Sequence, residues 1–129
     1  MKKIVLLMLV MVTSLLIISS CQYKFIVEPA VVPPNPDDTI SFSLDIIPIW
    51  NSAENCVACH NGTTQDPDLR PDAAYGELNS MGLIDTQNPE QSIIYTHPNP
   101  DTDSHSWKKY SNVEAAKVLL WIEQGAKNN

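Results

Sequence analysis

The stretch Cys56-Val57-Ala58-Cys59-His60 constrains this chain more than any other. A Cys-x-x-Cys pair followed directly by His is the attachment signature for c-type haem. Two thiols at this spacing can add to the two vinyl groups along one porphyrin edge as thioethers. His60, next in the chain, is then held where its imidazole reaches the iron as the proximal ligand. A bare Cys-x-x-Cys is shared with redox pairs and zinc knuckles. The adjoining histidine, in a chain that begins with an export signal, narrows the reading to one covalent haem c. A length of 129 residues leaves room for one small domain, and small domains need more than side-chain packing to be stable. A buried porphyrin would supply a large apolar centre.

Residues 1–20 read as a targeting segment, with Lys2 and Lys3 ahead of an apolar run from 4 to 18. The run is shorter than a membrane span requires. It ends in Ile18-Ser19-Ser20-Cys21, which resembles the lipobox of bacterial lipoproteins. The resemblance implies a diacylglycerol on the Cys21 thiol, cleavage before it and acylation of the new amino end, an anchor stable enough to hold the protein on a membrane. Gln22 is not the Asp that retains many lipoproteins at the inner membrane. The analogy therefore favours the outer membrane of a bacterial envelope, facing the periplasm or the cell surface.

The cysteines are then all assigned: Cys21 to lipid, Cys56 and Cys59 to haem. No thiol is left over for a disulfide or a reactive site. The formal charge is −7, and loss of Lys2 and Lys3 with the leader leaves six basic against 15 acidic residues, or −9. That disfavours nucleic acid and anionic membrane surfaces as partners. It suits either an oppositely charged docking surface on another protein or simple solubility.

Residues 21–39 form an expected tether carrying Pro29, Pro33, Pro34 and Pro36, a composition that favours extended chain at ~3.1 Å per residue. Residues 40–129 are the expected domain, of the all-α class. Phe42, Ile46, Ile49, Trp50 and Ala53 share one helical face, with Ser43 placed to cap and Asp45 in the first turn. Pro48 interrupts that helix or marks its true start. Residues 61–72 read as loop, rich in turn signals. A ligating His60 needs an acceptor for its second ring nitrogen, and a backbone carbonyl near Pro67 or Pro71 is the candidate. Arg70, the one arginine of the chain, can pair with a haem propionate or serve as a solvated loop charge. Residues 73–80 have weak helical character. Asn88-Pro89-Glu90-Gln91 opens a further helix, with Asn88 as its cap, and Pro98 and Pro100 end it. A polar loop holding His97, His105 and Trp107 precedes the last helix. Ser111-Asn112-Val113-Glu114 forms its capping box, Ala115, Val118, Leu119 and Ile122 its apolar stripe with Trp121 alongside, and Gly125 its stop.

Residues 40–129 resemble small mono-haem c-type cytochrome domains, of the planctomycete-type or class-I-like kind. The resemblance rests on Ile46-Ile47-Pro48-Ile49 ahead of Cys56-Val57-Ala58-Cys59-His60-Asn61-Gly62, on Pro67-Asp68-Leu69-Arg70, on the segment from Pro89 to Tyr95, and on the ending Trp121-Ile122-Glu123-Gln124-Gly125-Ala126. It implies an all-helical fold whose first and last helices cross beside a haem in a crevice. It also implies single-electron transfer between redox partner proteins rather than catalysis, and so a protein that is not an enzyme. In many relatives a Met in the loop before the last helix is the sixth iron ligand. Here that loop has no Met. His105 stands at about that place and is the first choice, with His97 in the same loop and Met81 as alternatives. A thioether ligand raises the reduction potential, whereas two imidazoles tend to lower it. Two rival readings remain open. One is a haem module with an open sixth position that binds or senses a small ligand. The other is a haem-free exported module in which Cys56 and Cys59 form a disulfide or bind zinc with His60.

Overall fold

The computed structural model describes residues 2–5, 8, 34–53 and 56–129. The chain divides into two compact units, Met1–Ala30 and Val31–Asn129. In the first, residues 2–5 are helical and Ile4, Val5 and Met8 are exposed. Among the described residues no helix is long and apolar enough to cross a membrane. The lipidation expected at Cys21, the rest of the leader and the tether up to residue 33 lie outside the described residues.

All regular structure in the described part of the second unit is helical, with no strand among those residues. A widened helical segment runs through Phe42–Ile46 and Ile49–Ala53. A single 3₁₀ turn follows at Cys56–Ala58. Then come helix α1 (Ala74–Ser80), a 3₁₀ turn at Pro89–Gln91, the short helix α2 (Ile93–Thr96) and helix α3 (Asn112–Glu123).

The first segment departs from expectation at both of its special residues. Its cap is Ser41, not Ser43: the Ser41 hydroxyl accepts from the Leu44 amide at 3.2 Å, and Asp45 accepts from the Ser41 amide at 2.9 Å. Asn129 completes the cap. Its backbone carbonyl accepts from the Ser43 amide at 2.9 Å and its side-chain oxygen from the Phe42 amide at 2.9 Å. Pro48 neither starts nor stops the helix, because the turns on either side widen to i→i+5 spacing. Ile47 donates to the Phe42 carbonyl in this way, and the wider turn relieves the clash that a proline ring makes with the carbonyl four residues back. Carbonyls left over are taken by side chains: Asn51 donates to Ile47 at 3.0 Å and the Ser52 hydroxyl to Pro48.

α3 is capped as its sequence indicates. Ser111 and Glu114 form the reciprocal box. Its far end turns back through hydrogen bonds from the Gly125 amide to Ile122 and from the Ala126 amide to Trp121, both 2.9 Å, the pairing of a Schellman stop. Its buried face is Ala115, Val118, Leu120, Trp121 and Ile122, so Leu120 takes the place expected of Leu119. Just beyond, Gln124 accepts from the Ile40 amide at 2.9 Å and donates to the Asp38 carbonyl at 2.7 Å, which clamps the approach to the first segment onto the end of α3.

Phe42 joins the first segment, α1 and α3 in one aromatic cluster. Its ring stacks on Trp121 with centres 5.2 Å apart and meets Trp50 and Tyr75 edge-on at 5.9 and 5.4 Å. Such pairs contribute roughly 0.5–1.5 kcal/mol each beyond area burial. The expected packing of the first segment against the last helix is therefore present. The segment expected to form one helix from Pro89 onward is broken at Ser92. That buried serine accepts from the Asp85 amide through its hydroxyl at 2.9 Å, and Asp85, rather than Asn88, gathers the turn by accepting from the Gln87 and Asn88 amides.

Candidate functional site

The turn at Cys56–Ala58 is closed by the Cys59 and His60 amides, which both donate to the Cys56 carbonyl, at 3.1 and 2.9 Å. One tight turn thus carries both thiols, three residues apart, with His60 next in the chain. Cys56 is half-buried against the core and Cys59 is exposed.

His60 is held on two sides by the strand of loop that returns to it. Its Nδ1 lies 3.1 Å from the Pro67 carbonyl, the acceptor anticipated near Pro67 or Pro71. Its own carbonyl accepts from the Leu69 amide at 2.9 Å. A carbonyl can only accept, so Nδ1 donates, and in the neutral tautomer this leaves the lone pair on Nε2. The returning strand is itself fixed by Asp68, whose carboxylate takes the Arg70 guanidinium at 2.6 Å and the Arg70 amide at 3.0 Å. Asp68 is only 6 % exposed. The Arg70 side-chain hydrogen bond, then that from its amide, holds the carboxyl below the usual carboxylate range. Arg70, offered by the sequence to a propionate or to solvent, is engaged here by Asp68. That role of Asp68 escaped the sequence reading, although the Asp-x-Arg spacing was visible.

The loop after α2 delivers two more imidazoles. The ring centres of His60 and His105 are 6.1 Å apart with planes inclined by 30°. His97 meets His105 edge-on, centres 5.6 Å apart and planes at 88°. The loop is closed at its base by the Tyr110 amide donating to the Pro98 carbonyl at 2.8 Å, and braced inside by the Thr102 hydroxyl on the Thr96 carbonyl at 3.1 Å and by Lys109 on the Thr102 carbonyl. Within it, Nδ1 of His105 is buried without a hydrogen-bond partner. Burial pushes this ring below its ordinary value, the nearby His97 and His60 rings push it further, and a hydrogen bond with the Lys108 main chain pulls the other way. The neutral imidazole is the form that ligates a metal.

Metal–imidazole bonds are ~2.0 Å long, and each ring centre lies a further ~1.1 Å beyond its nitrogen. Two imidazoles ligating one metal from opposite sides would have centres ~6 Å apart, and those of His60 and His105 are 6.1 Å apart. Met81, the remaining alternative, closes α1 and is exposed. Among the described residues no group of three or more His, Cys, Asp and Glu side chains is placed to hold a metal ion by itself. No family model matches the chain, and no curated protein and no solved structure matches it.

Proposed function

We propose that this chain is an exported, lipid-anchored mono-haem c-type cytochrome that relays single electrons between redox partner proteins in the bacterial envelope. Cys56 and Cys59 would attach the porphyrin, and His60 and His105 would hold its iron. The haem, when bound, supplies the one-electron couple. The chain would supply two imidazoles, one of them oriented by the Pro67 carbonyl, in a partly buried setting, and these would set the potential.

The observation that carries the reading is the 6.1 Å separation of the His60 and His105 rings, with His105 Nδ1 buried and unbonded. A buried ring nitrogen without a partner costs stability unless something bonds to it. The same pairing argues against an open sixth position, and so against a small-ligand sensor. The tether and the Cys21 anchor would hold the domain off the membrane surface.

The test is to express the full chain with a haem-maturation system and weigh the denatured protein. The expected result is a covalent increment of one haem and a low-spin, six-coordinate spectrum that carbon monoxide does not shift at once after reduction. Replacing both thiols, Cys56→Ser with Cys59→Ser, removes the increment. Colourless protein whose thiols both react with an alkylating reagent overturns the reading. An immediate carbon monoxide shift transfers it to the sensing class.

A further inference from the structure

We infer that His97 is a reserve ligand for the coordination position that His105 occupies, so that the loop keeps the iron six-coordinate when His105 leaves it. The inference rests on the haem reading above and concerns what the second loop imidazole adds to it.

Two features of the loop carry the argument. First, His97 stands in edge contact with His105, 5.6 Å between centres, and His105 in turn faces His60 at 6.1 Å. Second, the two rings are mounted differently. His97 sits at the end of α2, its amide donating to the Ile93 carbonyl at 2.9 Å, and its side chain is exposed. His105 is in the middle of the closed loop, anchored through Lys108 of the same loop. A movement of residues 103–109 would carry His105 away while leaving the His97 backbone in place, held by its own bond to Ile93 and by the Thr102 hydroxyl on the Thr96 and His97 carbonyls. A χ1 rotamer change swings the exposed His97 imidazole about its Cα–Cβ bond. Exposed side chains make such changes in picoseconds to nanoseconds. With haem bound, such an exchange would replace one imidazole nitrogen on the iron by another, with no change of oxidation state. Its consequence is that carbon monoxide, oxygen or nitric oxide finds no open position even in an opened loop, which suits an electron relay and not a sensor.

The test compares four holoproteins: wild type, His97→Ala, His105→Ala and the double variant. Magnetic resonance and visible spectra are recorded for each, with carbon monoxide added after reduction. Wild type and His97→Ala are expected to share one low-spin signal. His105→Ala stays low-spin with altered g-values, and the double variant turns high-spin and binds carbon monoxide at once. A high-spin His105→Ala protein overturns the inference and leaves the haem reading intact. So does a low-spin double variant, which puts the ligand elsewhere, at Met81 first. A His105→Ala signal identical to wild type also overturns it, since His97 would then be the resident ligand. Absence of the covalent mass increment in all four proteins is a failure of the underlying reading, and the two are thereby separated. His105→Gln, closer in size and polarity, is read by the same criteria should the alanine variant fail to fold.

Discussion

Gly62 stands where the loop after His60 turns back, at φ +74, and a Cβ built there meets the Asp68 carboxylate at 2.6 Å. That carboxylate cannot swing aside, because Arg70 holds it through both its guanidinium and its amide. Gly82 offers an internal comparison: its φ is +66, yet nothing lies within 4 Å of the same added carbon. Gly82→Ala is expected to cost only the left-handed backbone penalty, about 1–2 kcal/mol. Gly62→Ala is expected to cost about 1–3 kcal/mol more, since a close-packed partner must shift. Chemical denaturation of both variants reads the difference, and equal costs would show that the Asp68 carboxylate does not confine this turn. At this scale the sequence was legible where chemistry is local. Cys56, Cys59 and His60 stand out by spacing, and an acceptor for the second ring nitrogen of His60 was expected near Pro67 or Pro71, where the structure places the Pro67 carbonyl. The partner of Arg70 was not legible, because a guanidinium fits a propionate and a carboxylate equally well. His105 could be ranked by loop position alone; its buried, unbonded Nδ1 is a product of tertiary packing.

Among the elements, α3 was the most legible, since its start signal lies within four consecutive residues. The Ser111 amide donates to Glu114 at 2.8 Å, the Ser111 hydroxyl donates to the same carboxylate at 2.9 Å, and the Glu114 amide donates back to that hydroxyl at 3.3 Å. Because these bonds share groups, the two residues act as one cap. Ser111→Ala is expected to lower stability by about 1 kcal/mol, and Glu114→Ala by a comparable amount. The double variant should lose less than the sum by about 0.5 kcal/mol or more. Thermal or urea unfolding of all four proteins closes the cycle, and strict additivity would refute the reciprocal box. The first segment was legible only in its apolar face. Its widened turns and its cap depend on Asn129, eighty-odd positions away in sequence, and on side chains of Asn51 and Ser52 that take up carbonyls near Pro48. No window of local sequence contains that information. The break at Ser92 has the same origin, a hydroxyl drawn to the Asp85 main chain instead of a helix continuing past it.

Across the whole molecule, Tyr110 is the point where separate parts of the chain meet. Its hydroxyl accepts from Trp50 Nε1 at 2.9 Å and donates to the Ile94 carbonyl at 3.1 Å, so one oxygen ties the first segment to α2 at the base of the histidine loop. The same residue closes that loop through its amide on Pro98. The tie spans 60 residues on one side and 16 on the other, which is why neither Trp50 nor Tyr110 looked special in the sequence beyond being aromatic. Tyr110→Phe keeps the ring and leaves the buried Trp50 N–H without its acceptor, at an expected cost of about 1–3 kcal/mol near neutral pH. The pH dependence gives a second and sharper reading. Burial pushes the Tyr110 hydroxyl far above its ordinary value, against a smaller downward pull from the Trp50 hydrogen bond. In the unfolded chain a tyrosine ionises near pH ~10. Above that pH the folded protein retains a proton that the unfolded chain releases, so folding stability falls as pH rises, by up to ~1.4 kcal/mol per pH unit for this one group. Below it the contribution is constant and fully present. Tyr110→Phe lacks the group and so lacks this part of the slope. Urea unfolding of both proteins should give a gap that is steady up to about pH 9 and narrows steadily above pH ~10. A gap that stays constant into alkali would mean that the hydroxyl ionises in the folded protein, and that the oxygen joining the first segment to α2 is reached by water.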